Sequence, residues 1–315
     1  MPHPTVSVIV PAFRTAPYIA ETLDSALAQT FQDFEIVVVN DGSPDTPDLR
    51  AAIAPYRDRI RYIEQPQGGA ANARNTAIAA SSGEYLAFLD GDDLWAPTFL
   101  AEQLALLARE PEVVLLWADS QPFGMGAGAA TLMTMEPPPP DCTLAAVLLG
   151  RCVVVTSTTV AKRQAVVAVG AFDDGLRLGE DYDLWLKLAA HGRLRYNPAV
   201  LGRRRLHPTS LSAVPTSMLR AQIAVRRRFI ATAAVSDEVR QLAEAADLRC
   251  EAEMALAEGH RLLATGDATG AHRELTKAAR TVPGFKLAAI VRLLAIAPSA
   301  AVALYRWRRG PQALR

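Results

Sequence analysis

Three short apolar runs near the start of the chain each stop at a polar turn, and this arrangement constrains the fold more than any other feature. Residues 6–10 (VSVIV) stop at Pro11, residues 36–39 (IVVV) at Asn40-Asp41-Gly42-Ser43, and residues 85–89 (YLAFL) at Asp90. Between the first two, residues 16–30 carry Ile19, Leu23, Ala26 and Leu27 at helical spacing, and a second helix is expected from about Ala70 to Ala80. Apolar runs alternating with amphipathic stretches are the pattern of buried strands joined by crossover helices in a mixed, mostly parallel α/β sheet. In such sheets the loops beyond the carboxyl ends of the strands meet at one edge. All three polar turns are therefore expected to line one crevice.

Further strands are expected at residues 115–117 and 153–159, separated by the Gly/Ala-rich residues 124–128 and the prolines 137–140, which bar regular structure throughout. A helix should run from about Asp181 to His191, and a basic turn, residues 203–207 (RRRLH), closes the region. Beyond about residue 216 glycine and proline thin out and the pattern turns helical, which predicts a sheet domain over 1–215 and a helical region over 216–315. There Gly259, Leu262, Ala271, Leu275, Ala278 and Pro283 match one tetratricopeptide-type helix pair. A single unit makes a local hairpin and no solenoid. Residues 287–297 are apolar except for Arg292, and Pro298 follows, so a membrane-spanning helix is not expected. Two readings fit this tail: an interfacial helix whose Trp307 and arginines meet a membrane surface, or packing on the preceding hairpin or a second subunit.

Lys plus Arg and Asp plus Glu balance at 33 each, so no overall field draws the chain to nucleic acid. Cys142, Cys152 and Cys250 are widely spaced, form no CxxC pattern, and read as small packing residues of a protein in a reducing compartment. No secretory signal is expected at the amino terminus, and a cytoplasmic catalytic part, peripheral to the membrane at most, follows.

The chemistry-bearing residues sit in the turns. Asp90 and Asp92 flank Gly91 after the third run, and residues two apart on an extended chain project to one side. They can converge on one divalent cation, Mg²⁺ or Mn²⁺, or on a cation and a ribose hydroxyl; the plainer reading is a solvated acidic turn. Asp41 ends the second run, where its carboxylate can accept from a base bearing an N–H at its pairing edge, although turn chemistry alone explains Gly42 and Ser43. The loop of residues 68–75 (GGAANARN) offers backbone N–H groups and the Arg74 guanidinium to a nucleotide. Glu180 and Asp181 open a helix, where the dipole stabilises acids, and a carboxylate kept ionised there can act as a general base. His207 is either a structural turn residue or an imidazole contact to metal or phosphate.

Taken in order and spacing, VSVIVPAF, TLDSALAQTFQDF, EIVVVNDGSPD, GGAANARN, YLAFLDGDD, GEDYDLW and RLHPTSLS resemble the family 2 glycosyltransferases of the GT-A fold, over about residues 5–212. The resemblance implies an inverting transfer of a sugar from a nucleotide-diphosphate donor, a UDP-sugar above all, to a glycan, lipid-linked or other hydroxyl acceptor in polysaccharide or glycan assembly. It assigns Pro11, Ala12, Phe13, Asp41 and Arg74 to the nucleotide, and Asp90 and Asp92 to ribose and metal. Asp181 becomes the catalytic base, with Glu180 supporting acceptor or diphosphate contacts. Arg14, Asn40 and Ala77 depart from the family pattern, where Asn, Asp and Gly are frequent. Two other readings compete: a scaffold built on an inactive transferase fold, and a nucleotidyltransferase. The retained acids oppose the first, and the absence of a Gly-rich loop after the first run opposes the second.

Overall fold

A computed structural model describes residues 4–128, 130–131, 138–207, 215–282 and 284–309. Pro283, Pro137 of the proline run and the end of the RLHPTSLS motif lie outside the described residues. The chain divides into two compact units, Met1–Ala213 and Val214–Arg315.

In the first unit β1 (Val6–Ala12), α1 (Ile19–Leu27), β2 (Phe34–Asp41), α2 (Thr46–Ile53), β3 (Arg61–Gln65), α3 (Ala70–Ala79) and β4 (Tyr85–Phe88) build a parallel half-sheet. The order continues through β5 (Leu94–Trp95), α4 (Phe99–Arg109), β6 (Val113–Gly124), β7 (Asp141–Cys142), α5 (Leu144–Leu148), β8 (Thr159–Lys162), α6 (Arg163–Ala168), α7 (Glu180–His191) and β9 (Arg193–Leu206). The strands form one mixed sheet in the order β3-β2-β1-β4-β8-β6-β9-β5, with β7 paired to β9. The pairs β4–β8, β6–β8, β5–β9 and β7–β9 are antiparallel, whereas β6 and β9 run parallel. Val8, Ile9 and Val10 of β1 and Val37, Val38 and Val39 of β2 have no exposed surface. Burial on both faces is why these strands read as unbroken apolar runs.

Three expectations need correction. Residues 153–159 do not form a strand: the chain is irregular to Val155, turns through a 3₁₀ segment, Thr156–Thr158, and becomes strand only at Thr159. The hydroxyls explain this, since Thr158 donates to the Ala118 carbonyl at 2.6 Å and Thr159 to that of Val155 at 2.9 Å, competing with a ladder. Arg203 to Leu206 are no turn but the end of β9, paired with Gln121 to Gly124 of β6. Cys142 and Cys152, read as packing residues, form a disulfide. It ties β7 to the segment entering the 3₁₀ turn, a proximity no spacing rule reveals, and the reducing-compartment argument from cysteine usage falls with it.

The second unit comprises α8 (Pro215–Thr232), α9 (Asp237–Thr265), α10 (Ala268–Thr281), α11 (Phe285–Ile296) and α12 (Pro298–Arg309). Gly259 of α9 faces Leu275 of α10 so closely that a Cβ would lie 2.6 Å from the leucine side chain. The two helices therefore meet along the predicted glycine. Leu262, Leu263, Ala271, Leu275, Leu294 and Ala301 form the core of this unit. Among the described residues no helix is long and apolar enough to cross a membrane.

Candidate active site

The carboxyl ends of β1, β2 and β4 place three turns side by side, as a parallel half-sheet requires. The turn after β1 is laced to the turn after β2: the Arg14 N–H donates to Ser43 Oγ at 2.6 Å and the Ala16 N–H to Asp45 Oδ2 at 3.1 Å. Arg14 holds φ at +58°, a left-handed conformation that asparagine adopts more readily than arginine. Its guanidinium lies 5.4 Å from the centre of the Phe13 ring, which is half-exposed, while Ala12 is buried beneath. Asn40 accepts from the Ser43 N–H at 3.0 Å and donates to Thr46 Oγ1 and to the Tyr62 hydroxyl. An amide both accepts and donates there, which an aspartate cannot do. Gly91 lets the β4 turn press on the β1 turn, because a Cβ would lie 3.0 Å from the Pro11 carbonyl oxygen.

Asp41 is buried and already engaged. Its Oδ1 accepts from the Gly68 N–H and from Gln65 Nε2, both at 2.8 Å, and its Oδ2 from the Gly69 N–H at 2.7 Å. The carboxylate therefore shapes the loop that enters α3. Gly69, with φ at +92°, supplies the reversal there.

Arg74, on the first turns of α3, is the hub. Nη2 donates to Asp90 Oδ1 at 2.8 Å and Nη1 to Glu180 Oε1 at 3.0 Å, so one buried guanidinium joins the β4 turn to the start of α7. The ring of Phe172 lies 5.3 Å beneath it. Burial alone would lower the Arg74 pKa, but Asp90, Glu180 and Asp181 more than offset it and hold it above its ordinary value. Burial pushes the Glu180 carboxyl up, with Arg74 opposing and Asp181 adding to the rise. Asp181 accepts from the Tyr182 N–H at 2.7 Å in the first turn of α7.

On the other side of the β4 turn, Asp92 Oδ2 and His207 Nε2 are 2.8 Å apart. Burial and the Asp90 charge raise the Asp92 pKa against the pull of His207. Burial, with Asp90 and Asp92 adding, pushes Asp93 up to about 8. Sequence reasoning missed Arg205, the strut of this turn. Its N–H donates to Asp93 Oδ1 at 2.8 Å, its Nε to the Asp92 carbonyl at 2.9 Å and its Nη2 to Glu21 at 2.9 Å. Its guanidinium also lies over Phe123 and Tyr18, at 4.4 and 4.7 Å. The basic cluster before His207 was the only signal for it, and it read as a turn.

Among the described residues no three His, Cys, Asp or Glu side chains are gathered as a finished metal cage. The carboxylate of Asp92 and the imidazole of His207 are nonetheless a donor pair that suits Mn²⁺, with phosphate and water oxygens to complete the set.

Residues 7–131 match the family described as Glycosyl transferase family 2. An uncharacterized glycosyltransferase of Rickettsia felis is 29% identical over 209 residues, 65% of this chain and 34% of its own length. Over residues 7–131 the chain is thus similar to family 2 of the glycosyltransferases. It spans about a third of the length of the Rickettsia felis relative. Among solved structures, Staphylococcus aureus TarS 1–349 in complex with UDP-GlcNAc aligns with a TM-score of 0.66 at 19% identity, covering 97% of this chain and 92% of that one. The mannosyltransferase PcManGT of Pyrobaculum calidifontis, in complex with GDP-Man and Mn²⁺, aligns with a TM-score of 0.60 at 22% identity, covering 98% and 83%. These likenesses are of fold, and they make the mixed sheet of this chain one of the GT-A kind.

Proposed function

We propose that the chain is an inverting glycosyltransferase that moves a sugar from a nucleotide-diphosphate donor, a UDP-sugar by preference, to a hydroxyl acceptor with the help of Mn²⁺ or Mg²⁺. The observation that carries this reading is the Arg74 fork, which ties Asp90 of the donor-side turn to Glu180 beside Asp181 at 2.8 and 3.0 Å. A site for donor and a base for acceptor thus share one rigid hub. TarS has been solved with UDP-GlcNAc and PcManGT with GDP-Man and Mn²⁺, which supports a nucleotide-sugar donor.

Pro11, Ala12, Phe13 and the loop tied to Asp41 would cradle base and ribose. Asp41 spends three acceptor sites on its own loop and keeps about one for a base N–H. Asp92 and His207, with Asp90 beside them, would hold the cation, which when bound neutralises charge developing on the diphosphate. In the transfer, the acceptor oxygen bonds to the anomeric carbon as its proton passes to Asp181. The bond to the diphosphate breaks with its electron pair leaving on the phosphate oxygen. Asp181 sits in the first turn of α7, where the helix dipole favours a carboxylate. Glu180, fixed by Arg74, positions it.

The test is a hydrolysis and transfer screen over UDP-, GDP- and dTDP-sugars with Mn²⁺, run on the parent and on Asp181→Asn. Retained nucleotide binding with transfer lowered by about 10²- to 10⁴-fold supports the base assignment. Transfer at the parent rate refutes that assignment, and neither binding nor hydrolysis of any donor refutes the whole reading.

A further inference from the structure

The last two helices of the second unit have an inner and an outer face. Leu287, Ile290, Val291 and Leu294 of α11, with Ala301, Val302 and Tyr305 of α12, pack against the α9–α10 hairpin. The packing reading of the tail holds for these faces. The outer faces are apolar as well: Phe285 is 90% exposed, Ile296 84%, Trp307 80% and Leu304 53%. On α11 Phe285, Ala289, Arg292 and Ile296 follow one another at helical spacing, and on α12 Ala300, Ala303, Leu304 and Trp307 do the same. Each helix thus carries two apolar faces, one of which the fold leaves outside. Single exposed apolar residues are ordinary, but two stripes on consecutive helices call for a partner.

Charge says which partner. Residues 285–309 hold Lys286, Arg292, Arg306, Arg308 and Arg309 and no Asp or Glu. Arg292 lies within the outward stripe of α11 itself. A second copy would set like charge against like, and an uncharged protein groove would bury that arginine unpaired. Anionic lipid accepts both features, since apolar side chains sink to the acyl boundary while arginine and lysine reach headgroup phosphates. We infer that the outward faces of α11 and α12 form a docking surface for an anionic lipid bilayer, on which they lie without crossing it. This inference stands independently of the donor-site reading.

The experiment mixes the full chain with phosphatidylcholine vesicles with and without phosphatidylglycerol, and follows sedimentation and tryptophan emission. Trp95, Trp117 and Trp185 are buried, so a blue shift on adding vesicles reports Trp307. Binding should require phosphatidylglycerol, fall with salt, weaken about fivefold in Lys286→Ala and weaken about tenfold or more in Ile296→Glu, with helical circular dichroism unchanged. Failure to sediment with phosphatidylglycerol vesicles overturns the inference. So does binding indifferent to lipid charge and to Ile296→Glu, or a dimer that forms without vesicles and is dissolved by that substitution.

Discussion

Replacing Arg74 with methionine keeps most of the side-chain stem and removes the charge that joins the two halves of the candidate site. The magnitude follows from how far each partner is buried: the side chains of Arg74, Glu180 and Asp90 are 7%, 14% and 35% exposed. Glu180, left in a buried site beside Asp181, should cost about 3 kcal/mol, the lower end for an ion pair broken on one side. Asp90 is open enough for water to screen it and adds at most about 1 kcal/mol. The loss should depend on pH in a defined direction. Without Arg74, the Glu180 pKa rises further above its ordinary 4.5, so between that value and the raised one the folded state holds a proton the unfolded state has released. Stability of the variant then falls as pH rises, and its deficit relative to the parent, small near about pH 4.5, grows as the pH passes through that raised value. Urea unfolding followed by tryptophan emission measures this, because Trp95, Trp117 and Trp185 all lie in the first unit. A deficit below about 1 kcal/mol, or one equal at both ends of the pH range, refutes the hub assignment.

Asp93→Asn tests the acidic turn from the opposite side. With its pKa pushed from 3.8 to about 8, native Asp93 loses stability as pH rises between those values, a penalty on the order of 5 kcal/mol that asparagine avoids while still accepting from the Arg205 N–H. The variant should resist urea better than the parent at about pH 8 and equally at about pH 4; a gap independent of pH rejects the cause. Removing the disulfide with Cys142→Ser and Cys152→Ser, which are 10 residues apart, should lower stability by about 3 kcal/mol under oxidising conditions and by nothing under reducing ones. Differential scanning calorimetry with and without a reductant checks it, and identical melting of parent and variant in the absence of reductant excludes the bridge.

The amino-acid order alone determined the parallel half-sheet and the identity of the turns. Strands buried on both faces must be unbroken apolar runs, and the turns beyond their ends must be polar, so local pattern and fold carry the same information. The helical second unit and the Gly259 contact were legible for the same reason, since periodicity and a missing side chain are local properties. Strand β9 was not, because its charged residues 203–205 earn their place by pairing with β6 and stacking on Phe123 and Tyr18, contacts made far along the chain. Nor was the employment of the site residues legible. Asp41, Asp90 and Asp92 were visible as acids in turns, but only the folded chain decided that Asp41 braces the Gly68-Gly69 loop, that Arg74 divides itself between Asp90 and Glu180, and that His207 meets Asp92. A carboxylate's role is set by which donors reach it in three dimensions, and those donors stand up to 115 residues away.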